Sequence, residues 1–206
     1  MSHYRYIVHL YYICKIITTM YTAQTNLGKF KNDWYKPGAS RLKMVIWYFT
    51  NMFFFTSRWF PDMGVKVFLL RLFGAKVGSG VVIKPSVNIK YPWRLEIGDN
   101  VWIGEDVWID NLDKVVIGNN VCISQGALLL CGNHNYKKTT FDLIVGEITL
   151  EDGVWIGAKS VVCSGVVCKS HSILTVGSVA TRNLDAYTIY QGNPAKPVRM
   201  RQLSYL

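Results

Sequence analysis

Between Val77 and Asp185 an aliphatic residue returns at every sixth position. In order, the series is Val77, Ile83, Ile89, Ile97, Ile103, Ile109, Ile117, Ile123 and Leu129; after a break it resumes with Leu150, Ile156, Val162, Cys168, Leu174 and Ala180. Thirteen of these fifteen residues are Ile, Leu or Val, types that make up about a quarter of the chain, so composition alone does not produce the series. A helix repeats about every 3.6 residues and a two-faced strand every second one, so neither accounts for the period. Six residues suit one short strand plus one turn, and three such units close a triangular coil. A fixed hexapeptide period predicts a parallel β-helix in which the sixth-position residues point inward and stack coil upon coil. Gly78, Gly98, Gly104, Gly118 and Gly157 follow inward residues, where a tight corner tolerates little side chain.

Two steps, Ile89 to Ile97 and Ile109 to Ile117, are longer than six, and each follows three inward positions. The same corner therefore bulges in successive coils. This sets the coils at 77–96, 97–116, 117 to the break, 150–167 and 168–185, about five in all, forming an all-β repeat domain. A β-sandwich would show period-two alternation and no such register. At 206 residues and 50% hydrophobic, one domain with a sizeable core and an appendage is expected.

The net charge of +10 is unevenly placed: residues 1–76 hold eleven Lys and Arg against Asp33 and Asp62, leaving the repeat body nearly neutral. No nucleic-acid motif accompanies that charge, and no nucleic-acid partner is expected. A basic, aromatic-rich leader suits an anionic membrane surface better, with peripheral contact expected through residues 1–60. The cysteines at 14, 122, 131, 163 and 168 form no CxxC and no even framework. Cys168 falls on an inward position and reads as a core residue in a reducing, cytoplasmic compartment, at or near the inner face of the membrane.

In chain order, residues 1–32 are a leader, disordered or interfacial. Its apolar stretch from Tyr6 to Met20 is short for a membrane span and shows no cleavage site. Residues 33–76 form an N-terminal helical cap. Ser40 caps a helix from Arg41 to about Ser57, and a second runs from Val65 to Phe73, ended by Gly74. These helices are expected to cover the open first coil, because a stacked core needs an end cover. Residues 77–185 are the repeat, interrupted by a loop at 132–149 that opens with Gly132-Asn133-His134-Asn135-Tyr136. Long loops on rigid repeat bodies are usually functional. Residues 186–206 form a turn-rich, basic tail.

The coils, the Gly-Asn-His loop, Gly153-Val154-Trp155-Ile156-Gly157 and Gly192-Asn193-Pro194-Ala195-Lys196 together resemble the left-handed β-helix hexapeptide acyltransferases. Arg71 to Gly78 and Lys90-Tyr91-Pro92-Trp93 narrow the resemblance to the colanic acid biosynthesis acetyltransferases, related to galactoside, maltose and serine acetyltransferases. Left-handed coiling is implied by the resemblance; general crossover rules favour the other hand. The resemblance also implies a homotrimer with active sites between neighbouring prisms. Its implied activity is O-acetyl transfer from acetyl-CoA to a sugar hydroxyl of a glycan or glycolipid acceptor, in exopolysaccharide or other surface glycan biosynthesis. No metal is expected.

A hydroxyl is a poor nucleophile until its proton is leaving, so the reaction needs a base such as a neutral imidazole. His134 is on the loop that leaves the prism, where the family carries its catalytic histidine. His171 is in a regular turn, and His3 and His9 precede the domain. Asn133, Asp106 and Asp142 are the polar candidates for holding the base or contacting the acceptor. Asp106 stands where galactoside acetyltransferases carry Asn. Trp155 resembles the family tryptophan that walls the acceptor pocket. For the cofactor, the pantetheine arm is expected along Gly157, Ala158, Val176 and Gly177. Thr181 and Arg182 match cofactor-contacting positions, and Lys196 and Arg199 suit the nucleotide phosphates. The family's Pro-Gly-Val reads Ser164-Gly165-Val166 here, and Cys168-Lys169 replaces Ile-Gly.

Three competitors are weaker. A Cys131/His134 nucleophilic pair is not needed by the implied mechanism. A zinc-dependent carbonic anhydrase shares the prism but needs three histidine ligands per site. A non-catalytic scaffold of a membrane-associated glycan-assembly complex would fail to bind acetyl-CoA.

Overall fold

The computed structural model describes residues 2–204, the side chains of residues 2–4 and 17–22 aside; the side chains of His3 and Met20 therefore lie outside the description. The chain divides into two units. One holds the residues up to Tyr35 together with His134–Ile144, and the other holds Lys36–Asn133 and the chain from Val145 onward.

The second unit is a three-faced parallel β-helix. Its first face stacks Lys76–Val77, Leu95–Ile97, Val115–Ile117, Ile148–Leu150 and Val167–Cys168. The second stacks Val82–Ile83, Trp102–Ile103, Cys122–Ile123, Trp155–Ile156, Ile173–Leu174 and Thr188–Gly192. The third stacks Asn88–Ile89, Trp108–Asp110, Leu128–Leu130, Val161–Cys163 and Val179–Ala180. Register follows the inward series: Val77 pairs with Ile97, Ile97 with Ile117, Ile117 with Leu150 and Leu150 with Cys168. From Ile83 through Ala180 every member of the series is buried.

The repeat does not end with five coils: Leu184 bridges to Cys168 and Tyr190 pairs with Leu174, so a sixth turn begins. The step from Ala180 to Leu184 is shorter than six, which hides the continuation from a period search. Across the first two corners of every turn the inward spacing stays at six. All variation falls at the third-to-first corner, and the loop after Cys131 emerges there too. The glycines after inward residues are small for a different reason from turn conformation: a Cβ on Gly98 would come within 2.8 Å of the Gly118 carbonyl carbon, and one on Gly157 within 2.6 Å of the Val176 nitrogen. Successive coils approach too closely there for any side chain.

The first coil has no preceding coil to pair with, and the cap supplies partners on all three faces. Ser40 and Asp62 accept from Lys43 N–H at 3.2 Å and Val65 N–H at 3.0 Å, starting α2 (Arg41–Thr50) and α3 (Met63–Leu72), which follow α1 (Ser2–Thr22) of the other unit. The helix expected to reach Ser57 changes to a π-helical turn at Asn51–Phe55. That turn aims Asn51 at the third face, where it accepts from Ile89 N–H at 3.3 Å and donates to Asn88 Oδ1 at 2.7 Å. Trp47 Nε1 donates to the Ile89 carbonyl at 2.9 Å. Lys66, fully buried, donates to the Lys84 carbonyl at 3.1 Å and the Ile83 carbonyl at 3.4 Å on the second face. Arg71 donates to the Val77 and Gly78 carbonyls at 2.8 and 2.9 Å on the first. At the far end, Thr188–Gly192 is covered by the antiparallel strand Ala195–Met200.

In the other unit, α1 exposes apolar side chains all round, among them Ile7, Leu10, Tyr11 and Ile16. No helix among the described residues is long and apolar enough to cross a membrane. Asn26 N–H donates to the Thr139 carbonyl at 2.8 Å, tying the segment after α1 to the loop tip.

Candidate active site

The loop leaves the coil after Cys131 and returns at Gly146, whose N–H donates to the Cys131 carbonyl at 3.0 Å. Its two strands, Gly132–His134 and Leu143–Val145, form a small sheet. Beyond them the tip closes with Asn135 N–H on the Asp142 carbonyl at 2.8 Å and Lys138 N–H on the Asn135 carbonyl at 3.0 Å.

Within this tip His134 is half-buried and fixed in both plane and tautomer. Its ring lies 4.4 Å from that of Phe141, nearly parallel at 8°, and Phe30 packs at 5.9 Å. Its Nδ1 stands 2.9 Å from the Phe141 carbonyl oxygen. A carbonyl only accepts, so Nδ1 carries the proton and Nε2 is the basic nitrogen of the neutral ring. The group in this role is the Phe141 backbone carbonyl rather than a side chain of Asn133, Asp106 or Asp142, and a backbone carbonyl leaves no trace in residue type.

Asp142 is engaged within the loop: its carboxylate accepts from Lys138 Nζ at 2.8 Å and Thr140 Oγ1 at 2.6 Å. The Lys138 ammonium first, and the Thr140 hydroxyl second, hold its carboxyl below the usual range. It braces the hairpin as an anion. Asn133 is exposed on the strand leading to His134.

The remaining candidates belong to the repeat unit. Asp106 sits at a corner with φ 58°, exposed, with Arg58 at 3.8 Å. Trp155 projects from the second face, 45% exposed, and its Nε1 donates to Ser124 Oγ at 2.9 Å, which sets the plane of the indole. Gly157 is buried between coils, whereas Val176 is 71% exposed beside Gly177, itself at φ 67° with open space where a Cβ would be. Ala158 is half-buried and its carbonyl accepts from Gly177 N–H at 2.9 Å, so these four form one continuous coil edge. Thr181 and Arg182 are exposed at the next corner, and Lys196 and Arg199 are exposed on the final strand. Open backbone followed by exposed cations fits an extended, phosphate-bearing co-substrate.

Cys131 is fully buried, and burial pushes its thiol up to about 12. It stays protonated near neutrality and cannot act as a thiolate nucleophile. Among the described residues no three His, Cys, Asp or Glu side chains group to hold a metal ion.

No protein-family model matches the chain. The Escherichia coli K12 protein named as the colanic acid biosynthesis acetyltransferase WcaF is 34% identical over 166 residues, spanning 80% of this chain and 90% of its own. The galactoside O-acetyltransferase of the same organism is 27% identical over 134 residues, 64% of this chain and 66% of its own. Among solved structures, the hexapeptide-repeat acetyltransferase VCA0836 of Vibrio cholerae superposes with a TM-score of 0.72 at 21% identity, covering 80% of this chain and 95% of that one. A galactoside acetyltransferase in complex with coenzyme A gives 0.69 at 22% identity, covering 78% and 82%. The hexad core, the shared left-handed β-helix and the extent of identity to WcaF mean that the chain belongs to the hexapeptide-repeat acetyltransferases.

Proposed function

We propose that the protein moves an acetyl group from acetyl-CoA to a sugar hydroxyl during assembly of an exopolysaccharide or other surface glycan, with His134 as general base. The observation that carries this reading is the hydrogen bond from His134 Nδ1–H to the Phe141 carbonyl, which commits Nε2 to accepting a proton. Nε2 takes the acceptor hydroxyl's proton as the oxygen attacks the thioester carbonyl. The tetrahedral intermediate collapses as the carbon–sulfur bond breaks, and the imidazolium returns its proton to the departing thiolate. Backbone N–H groups of the coil edge suit the oxyanion, and both substrates bind together, so positioning supplies much of the acceleration. In this reading Asn133, Asp106 and Trp155 face the acceptor, while Asp142 braces the loop. Gly157, Ala158, Val176 and Gly177 run beside the pantetheine arm, Thr181 and Arg182 contact the cofactor, and Lys196 and Arg199 meet its phosphates.

Names of relatives support the acetyl donor and the glycan context: one is named for colanic acid biosynthesis and another for galactosides. We read the assembly as a homotrimer with its sites between prisms. The buried thiols of Cys131 and Cys168, outside any disulfide, and the basic N-terminal region support a cytoplasmic protein at the inner face of a membrane, touching it through residues 1–60.

Thiol release from acetyl-CoA, screened over free, nucleotide-linked and lipid-linked sugars, tests the reading. His134→Ala should lower kcat about 10²–10⁴-fold without weakening acetyl-CoA binding. Cys131→Ala should keep most activity. Acetyl-CoA binding with no turnover on any glycan, or unchanged turnover in His134→Ala, would overturn it.

A further inference from the structure

Beside the π-helical turn, α2 and the third face enclose a cleft of about 490 Å³. Its walls are Met44, Trp47, Tyr48, Met52, Ile89 and Trp108. Volume and lining fall in the range of small-molecule sites. Most polar side chains of its lining are already engaged, the Tyr48 and Tyr91 hydroxyls aside. Trp47 Nε1 is on the Ile89 carbonyl, Asn51 on Asn88 and Ile89, and Thr56 Oγ1 on the Met52 carbonyl at 3.1 Å. Lys90 Nζ is on Asp110 Oδ1 at 2.8 Å. A sugar ring would require these directional groups to be broken from their partners, at a cost for each left unsatisfied. A hydrocarbon chain asks for none of them. Met44 and Met52 add flexible, polarizable walls that adapt to such a chain.

The surroundings match an amphiphile. The outer side of the same helix and turn exposes Val45, Ile46, Phe49 and Phe53, and Trp59 is 94% exposed nearby. Lys36, Arg41, Lys43 and Arg58 flank them along the chain, Arg58 with Asp106 at 3.8 Å and Lys43 over the Trp93 ring at 5.1 Å, and the one acidic side chain between residues 36 and 76, Asp62, caps α3. An apolar face on a segment whose cations outnumber its acids is complementary to an anionic lipid surface.

The geometry points to the cleft as a seat for one hydrocarbon chain of an anionic lipid, entered past Met52 while the outer aromatic face rests on the bilayer. This rests on the membrane contact proposed above and narrows it to one site and one chemistry.

The full chain is titrated with butyl, octyl and dodecyl phosphate below their micellar concentrations, with inorganic phosphate as control, and is separately floated with vesicles containing phosphatidylglycerol. Affinity should climb about three- to fourfold per buried methylene. Met52→Trp, which plugs the mouth from a partly exposed position, should weaken dodecyl phosphate at least tenfold. Phe49→Ser/Phe53→Ser should abolish flotation and leave dodecyl phosphate binding intact. Affinity independent of chain length, or unchanged in a Met52→Trp protein that melts like the parent, overturns the chain seat even if vesicles still bind. A parent protein that fails to float while it binds dodecyl phosphate removes only the bilayer contact. Should Met52→Trp fail to fold, the chain-length series on the parent protein decides.

Discussion

The two ends of the prism meet the same problem with different means. At the start of the repeat, unpaired peptide groups on three faces are met one by one by side chains: Arg71, Lys66, and the pair Trp47 and Asn51. At the finish a folded-back strand covers the second face through a backbone ladder, with Tyr190 buried beneath it. Side-chain closure makes each peptide group depend on one residue. Ladder closure spreads the dependence over many bonds. Single substitutions should therefore harm the first end more than the second.

The largest effect is expected from Trp47→Ala, which removes both a buried indole packed against Phe55 and Phe73 and the donor to Ile89. A loss of about 3–5 kcal/mol is expected in urea denaturation. Lys66→Ala comes next, at about 1.5–3 kcal/mol, since the loss of a charged donor leaves the Ile83 and Lys84 carbonyls without its hydrogen bonds. Lys66→Met sharpens the point through pH. Burial lowers the Lys66 pKa in the fold from its ordinary 10.5, so the unfolded chain holds more protons between the lowered value and 10.5. Stability should therefore rise with pH through that window in the parent, and this component of the slope should vanish in Lys66→Met. At the other end, Tyr190→Phe removes the hydroxyl that accepts from Asp185 N–H at 3.1 Å and donates to Asp185 Oδ2 at 3.2 Å. About 0.5–1.5 kcal/mol is expected. A Tyr190→Phe cost equal to that of Lys66→Ala would break the contrast.

Much of the repeat was legible because burial acts on every coil alike. Each inward position must be apolar, so the period writes the register directly into residue types. The cap helices were visible through Ser40 and through Gly74 at its φ of 100°. What stayed hidden was carried by groups that residue type does not encode. The Phe141 carbonyl that sets the tautomer of His134 is one, and the peptide edge met by Lys66 is another. Lys66 itself reads as a surface cation in sequence, yet its amine is fully buried. The sixth turn was lost for a different reason: the Ala180–Leu184 step breaks the arithmetic while keeping the stacking. Of the site, the position of His134 and the exposed coil edge could be read in advance. The ring's orientation could not.

One feature of the winding has an evolutionary reach. Since length changes gather at a single corner of the triangle, segments of almost any size can be spliced in there without disturbing the two strands before it or the one after. The histidine-bearing hairpin occupies such a splice point. One excursion of the chain can thus be exchanged while the scaffold that carries it is inherited unaltered.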